Sequence, residues 1–165
     1  MIGVLDLTEA STPTLRALDE LVGSALRDQI REGVSAAAAM IASGGEPFGW
    51  HFLDFAGVEL PWGIRSGAVF VLPAGSRPDA HRHPNSVQHM RVLSGSARLT
   101  LSGKDGPASD EVIDVGDRRV WVVIATDVVH GFAVAETGDL EVVSFHTVPA
   151  NEIVEVSSEG ERRYE

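Results

Sequence analysis

The segment Gly75-Ser76-Arg77-Pro78-Asp79-Ala80-His81-Arg82-His83-Pro84-Asn85-Ser86-Val87-Gln88-His89-Met90-Arg91-Val92-Leu93-Ser94-Gly95 decides how the chain is read. It holds two imidazoles two residues apart, an amide five residues beyond the second, and a glycine at each end. Strand side chains alternate between faces, so His81 and His83 project to one side and both can reach a single metal ion. Gln88 lies within, or at the entry to, the next expected strand. Farther along, Val128 to Ala135 is expected as a strand that carries His130, Phe132 and Val134 on one face. A metal site needs several neutral nitrogen or oxygen donors converging on one point, and a barrel interior supplies that convergence. Two blander readings stand beside this one. The histidine pair could decorate an exposed sheet, and Gln88 could bind a water or mark a site that has lost its metal. His89 points opposite to Gln88 in a regular strand and reads as a surface residue. His51 and His146 lie on other expected strands without a motif and read as structural, although His146 could line the barrel mouth.

Working outward, short runs rich in Val, Phe, Leu and Ile alternate with turn signals from Trp50 onward, as in an antiparallel sandwich or barrel. Strands are expected near 50–58, 67–73, 79–83, 87–93, 96–102, 111–115, 119–124, 128–135 and 139–147. Turns fall at Pro61-Trp62-Gly63, Gly75 to Pro78, Ser94-Gly95, Gly103 to Pro107, Gly116-Asp117 and Thr137-Gly138. No long helical pattern interrupts them, which argues against a parallel βαβ sheet. The first third reads differently. Thr12-Pro13 supplies an N-cap and a proline at the first helical position. Leu15, Leu18, Val22, Leu26 and Ile30 then recur at three- and four-residue steps, one apolar stripe of a helix that Gly33 would break or bend. The Ala-rich run 35–42 continues it, and Gly44-Gly45 with Pro47 ends it. The expected organisation is a helical segment over 1–48 that packs on the barrel or on a partner, a barrel over 49–150, and a polar, loosely ordered tail over 151–165.

Composition narrows the partners. The 165 residues suit one domain with a modest appendage, and 44% hydrophobic content is enough for a real core. Without cysteine there are no disulfides and no thiolate metal sites, so ligands must be His, carboxylate or amide. A net charge of −11, with a single Lys and scattered Arg, argues against a nucleic-acid partner. The opening Met1-Ile2-Gly3-Val4-Leu5-Asp6 lacks a basic region followed by an apolar run, and no apolar stretch reaches bilayer length. The expectation is a cytoplasmic protein with no membrane association.

The segment 75–95 resembles the first motif of the cupin superfamily, G-x5-H-x-H-x3,4-E-x6-G, at every spacing, with Gln88 in place of the usual Glu. The second motif, G-x5-P-x-G-x2-H-x3-N, is matched by Gly116 and His130. Ala125, Asp127 and Val134 stand at its Pro, Gly and Asn positions, and the interval after Gly116 is three residues too long. The resemblance covers about 50–148 and implies an all-β double-stranded β-helix (a cupin jelly-roll barrel), here with an N-terminal α-helical segment. It implies one divalent transition metal ion, Fe, Mn, Ni, Co or Zn, held by His81, His83, Gln88 and His130. Family members commonly pair through their sheets, so a homodimer is expected.

With a neutral amide in place of a carboxylate, a divalent site keeps about +2 rather than +1 and favours an anionic ligand. The inner lining is expected to include Met90, Val92, Phe132 and Trp121, with Arg98 or Arg91 as an anion anchor. Such a pocket suits a small-molecule substrate with one or two metal-binding oxygens. The resemblance implies oxygenation, isomerisation or lyase chemistry on a small oxygen-rich molecule. A dioxygenase-like reaction is favoured, because the expected pocket is apolar and shows no strong general base. The alternative is a non-catalytic metal or small-molecule binding module, a sensor or a storage domain. No catalytic residue beyond the ligands can be read.

Overall fold

Leu15, Leu18, Val22, Leu26 and Ile30 are all buried along one side of a helical pair, as the stripe requires. The computed structural model of the chain describes residues 12–103, 111–116 and 121–164. The opening hexapeptide, the turn at 104–107, Asp117 and the start of the strand expected at 119 lie outside the described residues. Helix α1 spans Pro13–Gly23, capped by the Thr12 side chain, which accepts from the Leu15 amide at 3.2 Å. Helix α2 spans Arg27–Ala42. The break therefore falls at Ser24 to Leu26 and not at Gly33. Ser24 leaves helical geometry, the Leu26 amide returns to the Leu21 carbonyl at 2.9 Å, and the Arg27 guanidinium caps the Gly23 carbonyl at 3.0 Å. Gly33 sits inside α2, where a Cβ would come within 2.7 Å of the Val69 side chain. Its role is close approach of helix to sheet.

The strands follow as β1 Gly49–Phe52, β2 Ser66–Leu72, β3 His81–Arg82, β4 Gln88–Ser94, β5 Ser96–Ser102, β6 Glu111–Gly116, β7 Trp121–Ile124, β8 Val129–Val134 and β9 Leu140–His146. Two more, β10 Val154–Ser157 and β11 Gly160–Arg163, come from the segment expected to be loosely ordered. This corrects the reading of the tail. Its polar composition concealed a hairpin that pairs with β3 and is pinned by Tyr164, which is buried against Trp50, Phe52 and Phe70. The Asn85 amide fastens the same segment from the motif loop, donating to the Glu152 carbonyl at 2.7 Å and accepting from the Val154 amide at 3.2 Å.

Two antiparallel sheets result, ordered β1-β2-β9-β4-β7 and β11-β10-β3-β8-β5-β6. They face each other across a core that includes Met90, Val92, Leu99, Leu101, Val122, Ile124 and Val142. The five-stranded sheet is also covered on its outer face, where α1 and α2 pack on Val69, Trp121, Val123, Val143 and Phe145. Sheets buried on both faces read as continuous apolar runs, and the four buried residues of β7 are such a run. The six-stranded sheet shows the one-sided alternation instead, clearest in β5. The architecture is a jelly-roll barrel with an N-terminal helical pair. Among the described residues, no helix is long and apolar enough to cross a membrane.

Candidate metal centre

Strand β3 lies between β8 and β10, and its register sets His81 directly opposite His130. Ring centroids are 4.3 Å apart for His81 and His130, 5.0 Å for His81 and His83, and 5.4 Å for His83 and His130. One ligating nitrogen from each of the three falls within 4.8 Å of the others. His83 and His130 are buried and His81 is half-buried. The turn before β8 explains how a weak second motif still delivers its histidine. Asp127, at the motif's Gly position, has φ +63°, the left-handed region that Asp tolerates better than most residues. An ion pair from Arg82 on β3 to the Asp127 carboxylate ties this turn to the first motif.

Backbone carbonyls decide which nitrogen of each ring is free. The Nδ1 atoms of His83 and His130 each lie 3.0 Å from a carbonyl, of Val154 and Val128 respectively, and His81 Nδ1 lies 3.4 Å from that of Asp79. A carbonyl can only accept, so Nδ1 donates and the lone pair is left on Nε2. His130 Nε2 is buried without a hydrogen-bond partner among the described residues. Burial, and then the neighbouring His81, lowers the His83 pKa to about 4. Burial followed by His81 and His83 holds His130 well below the usual imidazole range. Both rings are thus neutral donors at pH 7. Gln88 opens β4 on the inner face, and its amide nitrogen donates to Ser144 Oγ at 2.8 Å. Its Oε1 is buried with no donor among the described residues. Orphaned buried acceptors are costly unless a ligand completes them. Three neutral imidazoles and a neutral amide fit one divalent transition-metal ion.

The four residues line one cavity of about 510 Å³ between the sheets. Met90 and Phe132 face it as expected, together with Phe48, Phe52 and Phe70. Other parts of the expected lining are corrected. Val92 packs deeper in the core, and Trp121 belongs to the helix-covered side, where its indole donates to Asp19 at 3.1 Å. Arg91 is on that side too, paired with Asp19 at 2.9 Å, and Arg98 is exposed beside Asp114. Neither lines the cavity; the arginines that do are Arg77 and Arg162. Strand parity is the reason, since Arg91 alternates with inward Met90 and Arg98 with inward Ala97 and Leu99. His89 is half-buried rather than a surface residue, and burial lowers its pKa. His146, which sequence reasoning left at the margin, is buried 5.0 Å ring to ring from His83 and hydrogen-bonded to Ser86 Oγ at 2.9 Å. It faces the same cavity but stands outside the cluster of three. Glu155 and Tyr164 also face it. Their signal lay in the Val154-Glu155-Val156 alternation followed by a Ser-Glu-Gly turn.

No family profile and no curated protein matches the sequence. Solved structures do. A variant of oxalate decarboxylase from Bacillus subtilis superposes with a TM-score of 0.56 at 16% identity, over 69% of this chain and 29% of its own. The auxin-binding 11S globulin from Wrightia tinctoria gives 0.53 at 15% identity, over 67% and 27%. The capsular polysaccharide assembling protein CapF from Staphylococcus aureus gives 0.51 at 13% identity, over 62% and 26%. These are cupin-fold proteins. The fold is a cupin jelly roll. The chain spans under a third of the length of each neighbour, and at these identities the likeness extends to the fold alone.

Proposed function

We propose that this cupin is metal-dependent, with His81, His83 and His130 as nitrogen ligands and the Gln88 amide oxygen as the fourth donor. It acts on a small oxygen-rich organic molecule, with dioxygenase-like chemistry favoured. One observation carries the reading: three histidine nitrogens within 4.8 Å of one another line a cavity of about 510 Å³, whose other walls are not apolar throughout as expected but combine aromatic side chains with charged ones such as Arg77, Asp79, Glu155 and Arg162. When bound, the ion supplies Lewis acidity and open positions for an oxygen-bearing ligand.

The chain's own residues do the rest. The carbonyls of Val128 and Val154 fix the ring tautomers, so the donor lone pairs point to a common place. Phe48, Phe70, Phe132 and Met90 exclude water from the ligand's carbon skeleton. Arg162 offers a charge-assisted contact to an anionic group of the ligand. The same reading takes the protein as a homodimer, which light scattering on the purified protein tests.

The functional test is elemental analysis of protein purified without chelators, then oxygen-uptake screening with catechols, diketones and keto acids. Close to one transition-metal ion per chain with substrate-dependent uptake is the expected result. Metal without uptake moves the reading to an isomerase, a lyase or a binding module. No metal after reconstitution with Fe, Mn, Ni, Co or Zn contradicts it.

A further inference from the structure

Gln88 leaves the centre without the carboxylate that the first motif usually provides. Three imidazoles and an amide leave the full +2 of a divalent ion uncompensated among the donors themselves, which is electrostatically expensive. Asp79, Glu155, Glu159 and Glu161 all line the cavity, and of these Glu155, from the C-terminal hairpin, pairs with a candidate ligand. Glu155 on β10 is 12% exposed at its side chain, faces the cavity, and holds Oε2 3.8 Å from His81 Nε2, the nitrogen whose lone pair is free. Two donors each about 2.1 Å from a shared ion stand no more than roughly 4.2 Å apart. Glu155 meets that limit with His81 and lies outside the group of three nitrogens within 4.8 Å of one another, so its side chain must close on the other two when the ion binds.

The surroundings hold Glu155 in place. Strand β10 pairs with β3, matching Val156 to Arg82 and Ser157 to His81. The carbonyl of Val154, the residue before Glu155, orients His83. The Tyr164 hydroxyl donates to Glu155 Oε2 at 2.5 Å, and its ring is wedged among Trp50, Phe52 and Phe70. One short strand thus sets one histidine ligand through its backbone and aims a carboxylate at another.

We propose that Glu155 is the carboxylate ligand of this metal centre, delivered by the C-terminal hairpin in place of the carboxylate that Gln88 replaces. The inference rests on the metal-centre reading above and adds a fifth protein donor, which brings the site from +2 to +1. The C-terminal hairpin then belongs to the active centre.

Cobalt(II) is the probe, read by competition against a chromophoric chelator and by its visible absorption bands, which report donor set and coordination number. Glu155→Gln keeps the shape and removes the charge. The expected result is ten- to hundred-fold weaker cobalt binding with altered bands. Arg163→Gln, an exposed substitution on the same hairpin that does not line the cavity, should leave both unchanged. Binding by Glu155→Gln within two-fold of wild type, with unaltered bands, overturns the proposal. So does an equal loss in Arg163→Gln. If the Gln variant fails to fold, Glu155→Asp gives the same reading, because a retracted carboxylate should shift the bands and weaken binding several-fold, and an unchanged variant overturns the idea. Should His81→Ala lose cobalt while Glu155→Gln keeps it, this inference fails and the metal-centre reading stands. Should wild type bind no cobalt, both fail.

Discussion

The two faces of the five-stranded sheet are built from the same strands and have opposite characters. On β4, Gln88 and Met90 face the cavity, while Arg91 and Leu93 face the helices. The helix side is filled by Leu15, Leu18, Trp121, Val143 and Phe145, and there Asp19 accepts from both Arg91 and Trp121, although the His89 Nδ1 atom on that face of β4 is buried with no hydrogen-bond partner among the described residues. The cavity side is hollow, and it leaves Gln88 Oε1 and His130 Nε2 buried and unpartnered among the described residues. Polar groups that close on each other hold a fold together. Polar groups that converge on a space prepare it for a ligand.

Changes on the filled face should cost stability and leave metal binding intact, and Phe145→Ala is the strongest such change. Phe145 is fully buried beneath the helices, so about 3–5 kcal/mol should be lost in denaturant unfolding. Unaltered metal stoichiometry in that variant would confirm that the faces are separable.

Acid should act through the hollow face. The folded-state pKa of His83 is about 4, and His130 and His146 are also held low, mainly by burial, whereas the unfolded value is about 6.5. The unfolded chain therefore binds more protons below 6.5. Stability is fully present above that pH and is lost as pH falls from 6.5 toward 4, by up to about 1.4 kcal/mol per pH unit for each histidine. Urea midpoints of metal-free protein should drop steadily from pH 7 to 5; a flat profile would mean these rings are not buried as neutral donors.

Asp19→Ala comes next. It strips Arg91 and the Trp121 indole of a shared, partly exposed partner and should cost roughly 1–3 kcal/mol, again without touching metal content. A cost below about 0.5 kcal/mol would place the pair among exposed salt bridges. The smallest effect is expected for Gln88→Glu on the hollow face. It adds a charge to the donor set and should tighten metal binding several-fold while shifting its pH dependence. If neither changed, Gln88 would lie too far from the metal to act as a ligand.

The barrel and most of the site were legible in the sequence, for local reasons. The first motif is a matter of spacing along one stretch of chain, and its bounding glycines have φ +71° at Gly75 and +83° at Gly95, the conformation that makes glycine necessary there. The second motif was blurred because Asp127 performs the turn usually given to glycine. Arg91 alternates with Gln88 and Met90 along β4, so strand parity turns it to the helices and away from the cavity. The helix break at Ser24 was hidden because the apolar stripe runs through it: Leu26 and Ile30 reach the same core from the second helix. The tail was least legible. Its burial rests on Tyr164 and on pairing with β3, and a contact between residues more than seventy positions apart leaves no periodic trace in a polar segment.

The most direct measurement is the metal content of wild type and of a His81→Ala, His83→Ala double variant, with circular dichroism as the control for folding. Wild type should carry close to one ion per chain, and the double variant should keep the barrel's spectrum with its metal reduced to background. A folded double variant that retains stoichiometric metal would contradict the assignment of this centre.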